Sequence, residues 1–226
     1  MSNIWFTSDW HIHHKNIVRG VSDWPKQTYN KVFQATGNHI QAESAKLQTE
    51  LVNCRDFDTL EEHDIFIIDK VNKKVRSSDV LYNLGDVGLG FKWKDRFKEL
   101  RRKINCETIY LAKGNHDHIF DDHRNSEIIS LFKDVRDIYY KKIGGRFFVL
   151  CHYAMRTWPW QHHKSIQLYG HSHGNLPDNP DSLSLDVGVD TCLFGHEKFT
   201  PYSIDEIFHI MDNYKKFVSV DHHKEI

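Results

Sequence analysis

Five stretches of the chain repeat one design, in which four to six apolar or β-branched residues run into a polar cluster. They are Asn3–Asp9 (NIWFTSD), Asp79–Asp86 (DVLYNLGD), Thr108–Asp117 (TIYLAKGNHD), Arg146–Tyr153 (RFFVLCHY) and Ile166–His173 (IQLYGHSH). Apolar runs of this length predict strands. Each delivers a residue able to bind metal at or just past its C-terminal end. Between the strands the apolar period becomes helical. Phe91–Lys103 places Phe97 and Leu100, with Ile104 just beyond, on one face, and Phe57–Val75 repeats apolar residues at Leu60, Ile65, Ile68 and Val71. The segment SIDEIFHIMDNYK, starting at Ser203, opens with a Ser-x-x-Glu capping box. The pattern predicts an α/β or sandwich-like fold whose sheet presents a site along its loop edge.

Composition narrows the setting. The 226 residues, 39% hydrophobic and 27% charged, are enough for one sizeable core. A single domain over residues 1–226 is expected, with a helical insertion at 21–53. The formal charge of -1 makes duplex nucleic acid a poor partner, because the phosphate backbone is bound mainly through cationic side chains. Cys54, Cys106, Cys151 and Cys192 form no Cys-x-x-Cys pair, which argues against a zinc ribbon or a disulfide framework and favours the reducing cytoplasm. No window has the 18 or so apolar residues of a membrane span, and the N-terminus lacks a basic segment followed by an apolar one. No membrane partner is expected.

Seventeen histidines are an unusual number. The terminal pair His222-His223 lies in a charged tail with nothing to hold ligands rigid, and reads as surface. The strand ends differ. Asp9 and His11 are two apart, as are His171 and His173, and on an extended backbone residues i and i+2 point the same way. Asp86, Asn115 and His152 supply one ligand each. Seven candidate ligands, Asp9, His11, Asp86, Asn115, His152, His171 and His173, exceed one tetrahedral site but suit two ions that share a carboxylate. Imidazole, carboxylate and amide together fit manganese, iron, nickel or zinc better than calcium. Gly85, Gly114 and Gly170 each precede a ligand, where positive φ or close backbone approach is useful.

The order Asp-x-His, Gly-Asp, Gly-Asn-His-Asp, His and Gly-His-x-His from Asp9 to His173 resembles the calcineurin-like metallophosphoesterases. The resemblance runs from Phe6 to about Ile207, and the flanking FTSDWHIHHKNI, LCHYAMRTW, LYGHSHG and SLDVGVD look like a compact bacterial and phage branch. It implies a four-layered αββα sandwich with two divalent ions, manganese first among the candidates. Asp9, His11 and His173 would hold one ion, and Asn115, His152 and His171 the other, with Asp86 bridging. A water between the ions would attack phosphorus, His116 would act as general acid, and Asp117 would orient it. Two departures, Trp10 between the first ligands and Ala154 where the branch commonly has proline, bear on the shape of the substrate pocket.

A second Gly-Asn-His, at Gly37–His39, follows no apolar strand. Asn38 there reads as a helix cap. His14, Arg19 and Arg156 are the candidates for phosphate recognition. Within 21–53, Trp24, Tyr29 and Phe33 precede an amphipathic stretch with Ile40, Leu47, Leu51 and Val52, which could be a lid or a helical decoration packed on the sandwich. The leading functional reading is a hydrolase of small phosphodiesters or phosphomonoesters, nucleotides included. A nuclease acting on single strands, with the basic helix at 91–103 as its footprint, is the alternative. A metal-binding scaffold without activity is the third, and the intact motif set does not favour it.

Overall fold

The computed structural model describes residues 2–88 and 94–218. Two compact units divide the chain, Met1–Trp10 with Ile67–Ile226 forming the larger and His11–Phe66 the smaller. The larger unit has two sheets. In the first, β1 (Ile4–Thr7), β2 (Val80–Asn83), β3 (Thr108–Ala112) and β4 (Asp134–Arg136) run parallel, and β9 (Tyr202–Ser203) pairs antiparallel with β1, in the order β4-β3-β2-β1-β9. The second has the order β5-β6-β7-β8. Here β5 (Ile138–Ile143) is antiparallel to β6 (Arg146–Cys151), and β7 (Ile166–Tyr169) and β8 (Ser184–Asp186) continue parallel. Both sheets are therefore mixed. With α4 (Lys94–Arg102), α5 (Ser126–Ile129) and α6 (Ile204–Asn213) they make an α/β architecture of the expected sandwich type.

Alternation along the strands builds one core from both sheets. Phe6, Tyr82 and Tyr110 are cross-strand partners, and their rings stack at 5.7 Å and 4.9 Å between centroids. Phe148 of β6 stacks on Phe6 at 5.9 Å, and Tyr139 of β5 meets Tyr82 edge-on at 5.9 Å. Leu150, Leu168 and Leu185 complete the second sheet's contribution, and Ile207, Ile210 and Met211 bring in the buried face of α6. Each such side chain contributes about 1.5–3 kcal/mol by leaving water.

Local signals explain where the helices begin. Ser203 Oγ accepts the Glu206 N–H at 3.2 Å while Glu206 Oε2 accepts the Ser203 N–H at 2.8 Å, which is the predicted capping box. In α4 the predicted face is buried at Phe97 and Leu100, and Ile104 just past the helix is buried too. Phe91–Trp93, the start of that predicted helix, lie outside the described residues, as does the His222-His223 tail. The third predicted helix spans Leu60–Lys74 (α3). Its buried line runs through His63, Asp64, Ile67, Ile68 and Val71, so two polar residues stand where Leu60 and Ile65 were expected.

The smaller unit holds α1 (Trp24–Thr36) and α2 (His39–Asn53). Pro25 sits in the first turn of α1, where its missing N–H has no cost. Gly37, at φ +64°, ends that helix with its N–H donating to Phe33 O at 2.8 Å. Asn38 then caps α2 as predicted, its Oδ1 accepting from the N–H groups of Ile40 and Gln41. The expected apolar face of α2 is not buried. Ile40, Leu47, Leu51 and Val52 are all exposed, Ile40 at 83%. Ala42 and Thr49 form the packed side, and Thr49 Oγ1 donates to Thr28 Oγ1 of α1 at 3.1 Å. Small residues set that contact because they let two helices approach closely. Elsewhere in the unit Arg55, His63 and Asp64 are buried in a network, with Arg55 Nη1 2.8 Å from His63 Nε2 and His63 Nδ1 3.0 Å from Asp64 Oδ1.

Candidate metal centre

Every strand that was expected to carry ligands ends before it reaches them. β1 stops at Thr7, β2 at Asn83, β3 at Ala112, β6 at Cys151 and β7 at Tyr169. The ligands occupy the turns that follow. Asp9, His11, Asp86, His171 and His173 have φ values of 59°, 51°, 55°, 68° and 49°. The extended-backbone argument for the two i, i+2 pairs is therefore wrong, since both members of each pair are left-handed. Such conformations cost about 1–2 kcal/mol in a residue other than glycine. Hydrogen bonds to the same residues hold them there.

Those bonds can be followed residue by residue. Asp9 donates its N–H to Gly85 O at 2.9 Å, and its carboxylate accepts the His171 N–H at 3.0 and 3.1 Å. One interaction thus joins the turn after β1 to the turn after β7. The Asp86 carboxylate accepts the His116 N–H at 2.8 Å. Asp117 accepts three backbone N–H groups, from Asp86 at 2.7 Å, Gly114 at 2.9 Å and Val87 at 3.1 Å. It therefore fastens the turn after β2 to the turn after β3. Gly85, at φ +105°, is needed for both conformation and space, because a Cβ there would lie 2.6 Å from His152 Nδ1 and from Gly114 N.

Within the larger unit these turns bring Asp9, Asp86, Asn115, His116, His152, His171 and His173 together. Ligand atoms of Asp86, His152 and His171 lie within 4.8 Å of one another. Asn115 Oδ1 joins them, 3.1 Å from His152 Nε2, which is itself 3.4 Å from Asp86 Oδ2. Asp9 and His173 form a second group, with Oδ1 and Nε2 4.0 Å apart. His116 Nε2 approaches Asp86 Oδ2 at 4.0 Å. His11 is the first residue of the smaller unit, two along the chain from Asp9. It is buried, with its Nδ1 3.1 Å from His14 Nδ1. His14 is buried as well and meets the edge of Trp24. Arg19 is ion-paired with Asp56. Arg156 lines a separate cavity with Gln161, Gln167 and Tyr169, and none of the proposed ligands is part of that lining.

The tautomers suit metal binding. His152 donates Nδ1–H to Leu84 O at 2.8 Å, and His173 Nδ1 lies 2.6 Å from Asp190 Oδ2. A carbonyl or carboxylate partner holds a proton on Nδ1 and leaves the Nε2 lone pair for a cation. Asp190, with Asp186, which accepts the N–H groups of Gly174 and Gly188, was missed as an orienting group by the sequence reading. Both lie in the quoted SLDVGVD, but only the fold brings them to the ligands.

Electrostatics also favour a cation. Burial pushes Asp9 up to about 6, with the Asp186 and Asp86 carboxylates adding to it and the His173 and His152 imidazoles opposing it. Burial likewise pushes Asp117 up to about 7, helped by Asp86 and opposed by its N–H donors. For His152, burial pulls downward but is outweighed by Asp86, Asp9 and the Leu84 carbonyl, which raise it to about 9. Asp86 is held below the usual carboxylate range, since hydrogen bonds and positive charge from His152 and His116 outweigh its burial. The cost of burying charge is thus opposed at Asp9 by the His173 and His152 imidazoles and at Asp117 by backbone N–H groups. Divalent cations would offset it with the imidazoles neutral, and the mixed donor set fits them.

Similar proteins are found by sequence and by structure. A profile of calcineurin-like phosphoesterases matches residues 2–198. An uncharacterised protein of Methanocaldococcus jannaschii is 26% identical over 166 residues, which is 71% of this chain and 82% of that protein. Among solved structures, a protein of unknown function from Aquifex aeolicus superposes with a TM-score of 0.57 at 17% identity, covering 93% of this chain and all of that one. An archaeal phosphodiesterase superposes with a TM-score of 0.39 at 16% identity, covering 89% and 98%.

Proposed function

Because the chain belongs to the calcineurin-like phosphoesterase family, we propose that it hydrolyses small phosphodiesters or phosphomonoesters, nucleotides among them, with two divalent metal ions. The observation that carries this reading is the pair of ligand groups at the turns after the strands, Asp9 with His173, and Asp86 with His152, His171 and Asn115. In this proposal the Asp-x-His spacing makes His11 a further ligand for the first group, and Asp86 would serve both ions. Manganese is the proposed metal, in keeping with imidazole, carboxylate and amide donors. When bound, two such ions supply charge neutralisation at phosphorus and a water acidic enough to attack it.

The chain's own residues do the rest. His152 and His173, each with Nδ1 committed to an acceptor, keep Nε2 directed at the centre. His116, about one-third exposed beside Asp86, is the proposed proton donor to the leaving oxygen, a role worth about 10²–10⁴ in rate. Asp117 acts through the backbone in this reading, fixing the turn that carries His116. His14 is the proposed phosphate-recognising side chain, through its contact with His11. The single-strand nuclease reading gains nothing from α4, where Arg96 pairs with Glu99, Lys98 with Glu127 and Asp95, and nearby Lys103 with Glu99. Such a face is solvated rather than set aside for a polyanion. We place the protein in the cytoplasm on its cysteine usage. No helix of the described residues is long and apolar enough to cross a membrane.

The test is hydrolysis of bis-p-nitrophenyl phosphate by the full chain with chelator, then with manganese restored, alongside elemental analysis. Activity that vanishes and returns, with two metals per chain, is expected. Asp86→Asn should lower the rate on the order of 10³-fold, the scale of losing a principal electrostatic group. Full activity in chelator, or one ion per active chain, overturns the dimetal reading.

A further inference from the structure

The second sheet has a face that turns away from the shared core. Ile166 and Leu168 of β7 point into the core, so by alternation Gln167 and Tyr169 point the other way. Ser184 of β8 is the cross-strand partner of Gln167. These three form the floor of a cavity of about 320 Å³, at the lower end of the size of small-molecule sites. One wall is the Met155–Arg156 stretch, pinned by Gln167, whose Oε1 accepts the Met155 N–H at 3.2 Å and whose Nε2 donates to Tyr153 O at 2.8 Å. The opposite wall runs from Leu176 to Ser182.

Arg156 and Asp181, both exposed, and the mostly buried Tyr169 line this cavity without using their polar side-chain groups inside the protein. Tyr169 is 4% exposed, yet its hydroxyl makes no hydrogen bond among the described residues. It opens into the cavity, where water or a ligand can reach it. The Arg156 guanidinium makes no ion pair or hydrogen bond among the described residues, whereas Arg136 and Arg146 of the same unit are paired with Asp134 and Asp212. The Asp181 carboxylate is likewise without a partner among the described residues, although only its backbone is engaged, its N–H donating to Asn179 Oδ1 at 3.0 Å. Opposite charges that line one cavity without pairing suit a ligand with an acid at one end and N–H donors at the other. Met155, Leu176 and Pro177 add apolar surface for a flat ring.

We propose that this cavity is a second binding site, independent of the metals, for a mononucleotide-sized organic anion. The acid group lies on Arg156, and an amino-bearing ring reaches the Tyr169 hydroxyl and Asp181. One wall and the floor continue into the metal centre along the chain, since His152 precedes Met155 by three residues and Tyr169 is followed by Gly170 and His171. An occupant therefore steadies the backbone from which two ligands project.

The experiment is calorimetric titration of the full chain with adenosine 5′-monophosphate in EDTA, where no divalent ion can hold the phosphate. Saturable binding is expected. Adenosine, which lacks the acid, and ribose 5-phosphate, which lacks the ring, should each bind about tenfold more weakly, the loss of one charged or polar anchor. Arg156→Gln should weaken the monophosphate about tenfold and Tyr169→Phe about fivefold, both with unchanged melting temperature. Absence of binding in EDTA, or affinity indifferent to either substitution, overturns the proposal. Neither result touches the phosphoesterase reading, which is decided by metal-dependent hydrolysis.

Discussion

At the ligand edge, Asp9 and Asp86 are buried and the backbone around them is left-handed, while on α2 Ile40, Leu47 and Leu51 stand in water on a regular helix. One region puts charge inside and bends the chain to do it. The other leaves apolar surface outside and bends nothing. The first is held by many directed bonds that share atoms: Asp117 alone receives three N–H groups, and Asp9 both gives and receives. The second is held by two small buried residues and one cap. Crowded, shared bonds make positions depend on one another, so a change at the edge should spread, and one on α2 should stay local.

Substitutions can break this contrast, and the largest effect is expected at Gly85. A methyl group in Gly85→Ala meets His152 and Gly114 at a φ that alanine rarely adopts, so a loss of about 3 kcal/mol in thermal unfolding is expected, with metal content falling as well. Normal metal content at a normal melting temperature would show that the edge can yield. Next is Asp190→Asn, which keeps the shape but loses the charge behind His173. Metal affinity should fall about 10- to 100-fold while the fold is kept, as read by titration with a metal-sensitive dye.

The two helix caps sharpen the comparison. Glu206 is pushed up by burial, but His196 and the N–H and hydroxyl of Ser203 outweigh this and hold it at about 2, below the ordinary 4.5. A folded value below the unfolded one means that its stabilisation is complete above about 4.5 and is lost as pH falls toward 2. The carboxylate is partly exposed, so the effect should be about 1 kcal/mol or less. Glu206→Gln should flatten that part of a stability-against-pH curve, and an unchanged slope would remove Glu206 as its source. Asn38→Ala should cost about 1 kcal/mol at every pH, because the cap amide does not titrate. The smallest effect is expected from Leu47→Ser, within about 0.5 kcal/mol. A loss of 2 kcal/mol or more there would mean that the exposed face of α2 is covered in solution.

How far the sequence could be read follows the same division. The five apolar runs and the capping box at Ser203 were legible because strand length, helical period and cap chemistry are local. The residues gathered at the edge were legible as a set because few arrangements of Asp, Asn and His recur after five strands. The turns were not, since no periodicity marks a left-handed aspartate or histidine, and reading Asp9 to His11 as extended strand followed from that. Asp190 was hidden for another reason: its partner His173 lies 17 positions away. On α2, apolar spacing suggested a buried face, whereas the contact with α1 is made by Ala42 and Thr49, which hydrophobicity alone does not single out.

The left-handed backbone at the ligands also limits what evolution or a protein engineer can write there. Aspartate, asparagine, histidine and glycine tolerate such a φ, while valine, isoleucine and threonine resist it, because a second branch at Cβ crowds the neighbouring carbonyl. At Asp9, Asp86, His171 and His173 the alphabet is thus cut down before any metal is considered. The residues that survive the cut are mostly those that bind cations. A library built to change the metal by varying these positions would lose most of its members to misfolding, and those that fold would be drawn largely from the same few oxygen and nitrogen donors.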